Sequence, residues 1–212
     1  KNVMKAIKNA GYKMDRIFSM GGPGLTCDIP PGENTTKGDS IKIESLEKSI
    51  LSVRETFNSY SDKVRIVSIP NPSCLACVKG QRFINDLFQK ELSSANNLIG
   101  ITIWISIDGW GKYEDAKRLA PEIKDKRMHH YWDPKMNCGK LFKRPLNLNQ
   151  DYATAWDVYL IYAPGITWEN DIPPTPTFYM HQLREGGAAK NLFLDKELFL
   201  TKLKEIVYNS KQ

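Results

Sequence analysis

Residues 66–88 read IVSIPNPSCLACVKGQRFINDLF, and the pattern changes three times within them. Ile66, Val67 and Ile69 form a β-branched run that fits a strand. Pro70 and Pro72 break it, because proline removes a ladder donor. Cys74 and Cys77 then stand three apart, and Ile84, Leu87, Phe88 and Leu92 recur at helical spacing. The stretch predicts a strand, a tight turn and a helix whose first turn carries both cysteines. Three chemistries fit such a pair: a redox couple, half of a metal site, or two packed thiols.

The placement at a helix start favours the redox couple. Cysteines three apart there bring their sulfurs within disulfide reach. Unsatisfied N–H groups and the helix dipole favour the thiolate of Cys74, which would attack a substrate disulfide. Cys77, one turn further in, would resolve the mixed disulfide. Pro72 ends the strand, and Ser73 is placed to cap the helix. A four-ligand zinc site needs a second pair, and Cys27 and Cys138 are neither paired nor at finger spacing. They read as isolated structural thiols, with Cys138 at a predicted helix start near the WDP segment at 132–134. His129, His130 and His181 are further metal candidates, although histidine at a strand end is more often solvated or hydrogen-bonded.

The totals narrow the classes. The 212 residues hold one large domain, or one standard domain with a substantial addition. The hydrophobic fraction of 41% and charged fraction of 25% are those of a soluble globular chain. The net charge of +6 comes from dispersed lysines without aromatic interleaving, which argues against a nucleic-acid partner. The longest apolar run, LIGITIWISI at 98–107, is strand-sized, so no membrane span is expected. The chain opens on Lys1, which reads as a start already removed; cytoplasmic and extracytoplasmic locations both fit, and oligomeric state is not legible.

Outward from the cysteines, residues 45–60 predict a helix with Leu46, Ile50, Val53 and Phe57 on one stripe behind a Ser45 cap. KVRIVSI (63–69) predicts a strand, and IGITIWISI a central strand covered on both faces. YEDAKRLAPEIKD predicts a helix kinked or restarted at Pro121. RMHHYWD predicts a short strand, and PKMNCGKLF a helix with Pro134 in its first turn. WDVYLIYAPGITW reads as strand, Pro-Gly turn, strand. DKELFLTKLKEIVYN predicts a closing helix with Leu198, Leu203, Ile206 and Val207 inward. Residues 20–40 are rich in Gly, Pro, Asn and Thr and read as a linker; GGPG within them lacks the lysine and following helix of a phosphate loop, and Asn34 heads a sequon of the kind that arises by chance. The division is an extension at 1–42 and a domain at 43–212.

This order of elements, with the cysteine pair between a strand's carboxyl end and a helix's amino end, resembles the thioredoxin fold. Residues 43–209 are also similar to a bacterial branch of thioredoxin-like proteins with Cys or selenocysteine active sites. That branch carries C-x-x-G, then WDP, then WD-hydrophobic-Y-x-x-PG-x-x-W; here these read CVKGQ, YWDPK and WDVYLIYAPGITWEN. The resemblance implies an α/β, thioredoxin-like mixed sheet flanked by helices and a redox function. Trp156 and Asp157 are candidates to flank the cysteines as aromatic platform and proton carrier, and so are Trp132 and Asp133. Several positions depart from thioredoxin. Ser73 stands where thioredoxin has Trp, Leu75-Ala76 where it has Gly-Pro, and strand 65–69 carries no aspartate. Its cis-proline position falls near Ala155-Trp156, where there is no proline, unless the hairpin lies one strand later and Thr175-Pro176 serves. Substrate recognition is therefore expected to differ. VMKAIKNAGYKMD (3–15) is similar to the closing helix of heavy-metal-associated domains, without their cysteines; an arbitrary N-terminal helix fits equally.

The expected function is a thiol-disulfide oxidoreductase acting on protein or small-molecule disulfides and thiols, needing no cofactor. The alternative is a copper or mercury chaperone on the same fold, with Cys74, Cys77 and His181 as ligands.

Overall fold

The computed structural model describes residues 41–123, 125–149, 152–183 and 187–210. The N-terminal helix, the linker, the sequon and Cys27 lie outside them. Within them is a six-stranded mixed sheet flanked by helices, an α/β architecture.

The chain runs β1 (Ile43–Ser45), α1 (Leu51–Ser59), β2 (Val64–Ser68) and α2 (Leu75–Asp86), which continues as a π-helical turn over Leu87–Glu91. Next come β3 (Leu98–Ile105), α3 (Tyr113–Leu119) with a 3-10 turn at Ala120–Glu122, β4 (Met128–Asp133) and α4 (Asn137–Lys143). A hairpin of β5 (Val158–Tyr162) and β6 (Phe178–His181) precedes the closing helix α5 (Lys196–Asn209). Strand order is β1-β4-β3-β2-β5-β6. The first four are mutually parallel, while β5 runs antiparallel to both β2 and β6.

All eight residues of β3 are buried, as its uniformly apolar sequence requires of a central strand with helices over both faces. Val53 and Phe57 of α1 and Phe142 of α4 pack on one face, against Val67, Ile101, Ile103 and Ile105. Val78 and Ile84 of α2, Leu119 of α3 and Phe199, Leu203 and Val207 of α5 pack on the other, around Trp104. Each such buried aliphatic or aromatic side chain stabilises the fold by about 1.5–3 kcal/mol. A polar tie fixes α2 on the sheet: buried Gln81 accepts from Ser68 Oγ (2.8 Å) and donates to Thr102 Oγ1 (3.0 Å).

Four sequence expectations need correction. Helix α1 starts at Leu51, not behind Ser45; Ser45 closes β1, and its Oγ accepts from Glu47 N. Leu46 is buried all the same, from the connection. Helix α4 starts at Asn137, beyond Pro134, after a left-handed turn at Met136 (φ 59°). On α5 the inward stripe is Phe199, Leu203 and Val207, while Leu198 is exposed and Ile206 half-buried. Asp195 sets that start by accepting from Glu197 N and Leu198 N.

The fourth correction concerns the hairpin. Residues 163–165 do turn, with Gly165 at φ 86°, but the segment after them is not a strand. The partner of β5 is β6, whose nearest register pair is Ile161 with Phe178, and Thr177 N donates to Ile161 O (2.9 Å). The intervening loop is clasped from below instead. Arg65 donates to Ala163 O (2.6 Å) and Ile166 O (2.8 Å), Arg54 Nε to Trp168 O (2.8 Å), and Asn58 exchanges two bonds with Trp168. Trp168 is thereby buried beside Phe57 and Phe142.

Candidate functional site

Strand β2 ends at Ser68, and residues 69–73 turn into α2. Asn71 shapes the turn: its Oδ1 accepts from Ser73 N (2.9 Å), its carbonyl from Cys74 N (3.1 Å), and its Nδ2 donates to Trp110 O (2.8 Å). An Asn-Pro step is well suited to this, since the side-chain amide mimics a backbone turn. The turn delivers Cys74 to the N-cap position of α2 with extended backbone, and no side chain caps the helix there. Ser73 does not cap it; its hydroxyl donates to Asp115 Oδ2 on α3 (2.9 Å). The Cys74 sulfur thus stands where first-turn N–H groups point outward.

Cys74 and Cys77 lie 3.2 Å apart as free thiols. Cys74 is half-buried and Cys77 fully buried. Burial pushes the Cys77 thiol well up, assisted by a hydrogen bond with Cys74 and by the charge of Asp157. A buried sulfur with a high pKa needs a base close by before it becomes a nucleophile.

Asp157 is that neighbour. Its side chain and the two sulfurs lie within 4.8 Å of one another. The residue is 2% exposed and adopts a left-handed backbone (φ 52°) immediately before β5. Asp tolerates that conformation better than most residues. The chain is pinned through it, Asp157 N to Ile69 O (2.8 Å) and Gln182 N to Asp157 O (2.9 Å), so the carboxylate is held beside the cysteine turn. Burial raises its pKa to about 6, partly offset by hydrogen bonds from Tyr159 and Cys77. Tyr159 donates to Asp157 Oδ1 (2.8 Å). With its amide nitrogen turned inward, Gln182 donates to the same oxygen (3.2 Å), to Ala76 O (3.1 Å) and to the Tyr159 hydroxyl (2.9 Å). The site is therefore two thiols and one carboxylate, with a buried tyrosine and a half-buried glutamine orienting the carboxylate.

Other candidates fall elsewhere. Trp156 is buried in edge contact with half-buried Trp110 (5.3 Å), so it supports the site from beneath rather than offering an open platform. Trp132 packs against Tyr113 (5.8 Å) within the second core. Asp133 accepts from Asn137 N (2.9 Å), Cys138 N (2.8 Å) and Gly139 N (3.3 Å), so its carboxylate caps α4. Cys138 is buried in that turn, with its pKa pushed up by burial and by Asp133. His181 has both ring nitrogens occupied: Nδ1 accepts from Leu183 N (3.1 Å), which makes Nε2 the donor to Ala189 O (3.0 Å). The third donor beside the cysteines is Asp157, not His181.

Sequence reasoning missed Tyr159, Gln182 and Asn71. Tyr159 had a signal, because strand alternation puts it on the same face as Asp157. Gln182 had none, since its contact depends on the β5–β6 register.

The chain matches no protein-family model, and no curated protein matches it.

Proposed function

We propose that this protein is a thiol-disulfide oxidoreductase on a thioredoxin-like fold, with Cys74 as nucleophile and Cys77 as resolving thiol. The observation that carries the reading is the 3.2 Å approach of the two sulfur residues across the opening of α2. The fold-level part is supported by the connectivity. A cysteine helix joins parallel β2 and β3, and an antiparallel hairpin lies on the other side of β2. The carboxylate of Asp157 supports the chemical part.

In the forward direction the Cys74 thiolate attacks a substrate disulfide, R–S–S–R′. The Cys74–S–S–R bond forms and R′–S⁻ leaves. Cys77 gives its proton to Asp157 and attacks the Cys74 sulfur, closing the intramolecular disulfide and expelling R–S⁻, which takes up the proton. Two electrons pass from the cysteine pair to the substrate, and an external dithiol returns them. The half-exposure of Cys74 and the burial of Cys77 support this order of the two attacks.

Equilibration in glutathione or dithiothreitol buffers, alkylation and mass measurement test the proposal. A single two-electron transition is expected, absent in Cys74→Ser and in Cys77→Ser. Thiols that never pair, or that react only in denaturant, would sink it.

A further inference from the structure

We propose that the reduced site also binds a thiophilic divalent cation, zinc(II) being the best match, through Cys74, Cys77 and Asp157, and that the bound ion withholds the pair from disulfide exchange. Ion binding shares its residues with the redox proposal without depending on it, while the withholding of the pair from exchange rests on that proposal. Among the described residues this is the one set of three His, Cys, Asp or Glu donors close enough to share an ion.

The geometry fits. The donor atoms are at most 4.8 Å apart, and the cysteine pair approaches to 3.2 Å. Tetrahedral zinc with Zn–S near 2.3 Å and Zn–O near 2.1 Å needs donors about 3.6–3.8 Å apart. That value lies between the 3.2 Å of the cysteine pair and the 4.8 Å limit on all three donors, so the separations are on the scale an ion needs. Cys74 is half-exposed, so the fourth position would open to solvent or to a substrate thiol. Three protein ligands with one open position is the pattern of a reactive rather than a structural zinc site.

The surroundings are those of a ligating carboxylate. Tyr159 and Gln182 both donate to Oδ1 and hold the group in orientation, as outer partners of metal ligands do. Histidine is not needed to complete the set, and His181 is committed to two backbone groups.

The step balances without electron transfer. Two thiols and one cation give a dithiolate complex and release two protons. The oxidised pair offers no thiolates, so disulfide formation expels the ion and ion binding opposes oxidation. The site would then respond to both zinc and redox state.

Full-length protein, reduced and stripped with chelator, is titrated anaerobically with Co²⁺ and then Zn²⁺. The expected result is one ion per chain, sulfur-to-cobalt charge-transfer bands that zinc removes, and two protons released per ion. Both thiols should resist alkylation while the ion is bound. Cys74→Ser and Cys77→Ser should abolish the bands, and Asp157→Asn should weaken zinc at least tenfold. X-ray absorption at the zinc edge of the wild type reads the donor set even if Asp157→Asn fails to fold. Two sulfur and two lighter donors are expected; four sulfurs, or affinity no better than that of a peptide spanning residues 70–80, would overturn the proposal. The redox transition measured in chelator is a separate readout. A couple without metal binding defeats this inference alone, and metal binding without a couple leaves the ion site standing but defeats the redox proposal and the control of exchange that rests on it.

Discussion

Gly80 of α2 faces the hydroxyl of Tyr159 on β5 so closely that a Cβ at residue 80 would overlap that oxygen and crowd the Gln182 side-chain amide. The two residues lie on different elements, and their close approach limits how near α2 can lie to β5. It therefore also limits the distance from Cys77, one turn earlier on α2, to Asp157.

Gly80→Ala is expected to push Tyr159 off Asp157. Overpacking of this kind costs about 1–3 kcal/mol, even though alanine favours the helix by up to ~1 kcal/mol. Urea denaturation should show the loss, and disulfide exchange should slow more than stability alone predicts. A variant as stable and as active as the wild type would mean that the Tyr159–Asp157 bond is dispensable.

Asp157→Asn tests the proton acceptor. Asparagine keeps the size of the side chain and its bond with Tyr159 but does not take a proton at neutral pH. The second step, attack by buried Cys77, is expected to slow by roughly 10²-fold, while the first attack by Cys74 changes far less. Quenched mass spectrometry should then show the Cys74 mixed disulfide accumulating. Equal slowing of both steps would assign Asp157 a purely structural role.

The parts of this molecule legible in sequence are those set by local pattern. Strand β3 was readable because eight consecutive buried positions leave no polar alternation. The Cys74–Cys77 pair was readable because strand, prolines and helix all bear on one turn. The α5 stripe was misread because Leu198 and Phe199 are adjacent and both apolar; only docking on the sheet selects Phe199. The second half of the hairpin was misread because a Pro-Gly signal is local, whereas Arg54, Asn58 and Arg65 satisfy the following backbone from 98 to 115 residues away. Asp157 was a candidate beside the cysteines through the WD motif. Its partner Gln182 was not, because nothing near residue 182 encodes that Val158 pairs with His181.

Arg65 makes that loop clasp testable. The side chain is buried, lies over the Phe57 ring at 4.5 Å, and donates to two loop carbonyls. Burial lowers its pKa to about 10, so it stays charged at neutral pH. A lysine has one head group and cannot reproduce the planar fork. Arg65→Lys is expected to cost about 2 kcal/mol, the scale of a buried acceptor left unsatisfied. Intrinsic fluorescence should move to the red as Trp168 becomes wetter. An unshifted spectrum with unchanged stability would show that Arg54 and Asn58 hold the loop alone.

His130 gives the fold a pH dependence whose sign can be fixed in advance. The imidazole lies on β4, stacked near Trp104 (6.5 Å between centroids), and burial followed by repulsion from His129 lowers its pKa from 6.5 to about 4. The folded state therefore prefers neutral histidine. Its contribution is complete above pH ~6.5 and is lost as pH falls toward 4, amounting to about 3 kcal/mol for a shift of this size. Asp157 works in the opposite direction. Its pKa is raised from 3.8 to about 6, so its contribution is complete below 3.8 and is lost as pH rises through 6. The wild-type profile sums these two with the shifted His129, Asp125 and Asp133, and the His130 contribution is isolated by difference. His130→Gln should flatten the acid limb between pH 6.5 and 4 relative to wild type, measured as urea midpoints at fixed ionic strength. Parallel profiles for the two proteins would mean that His130 protonates in place without penalty, which its burial beside Trp104 argues against.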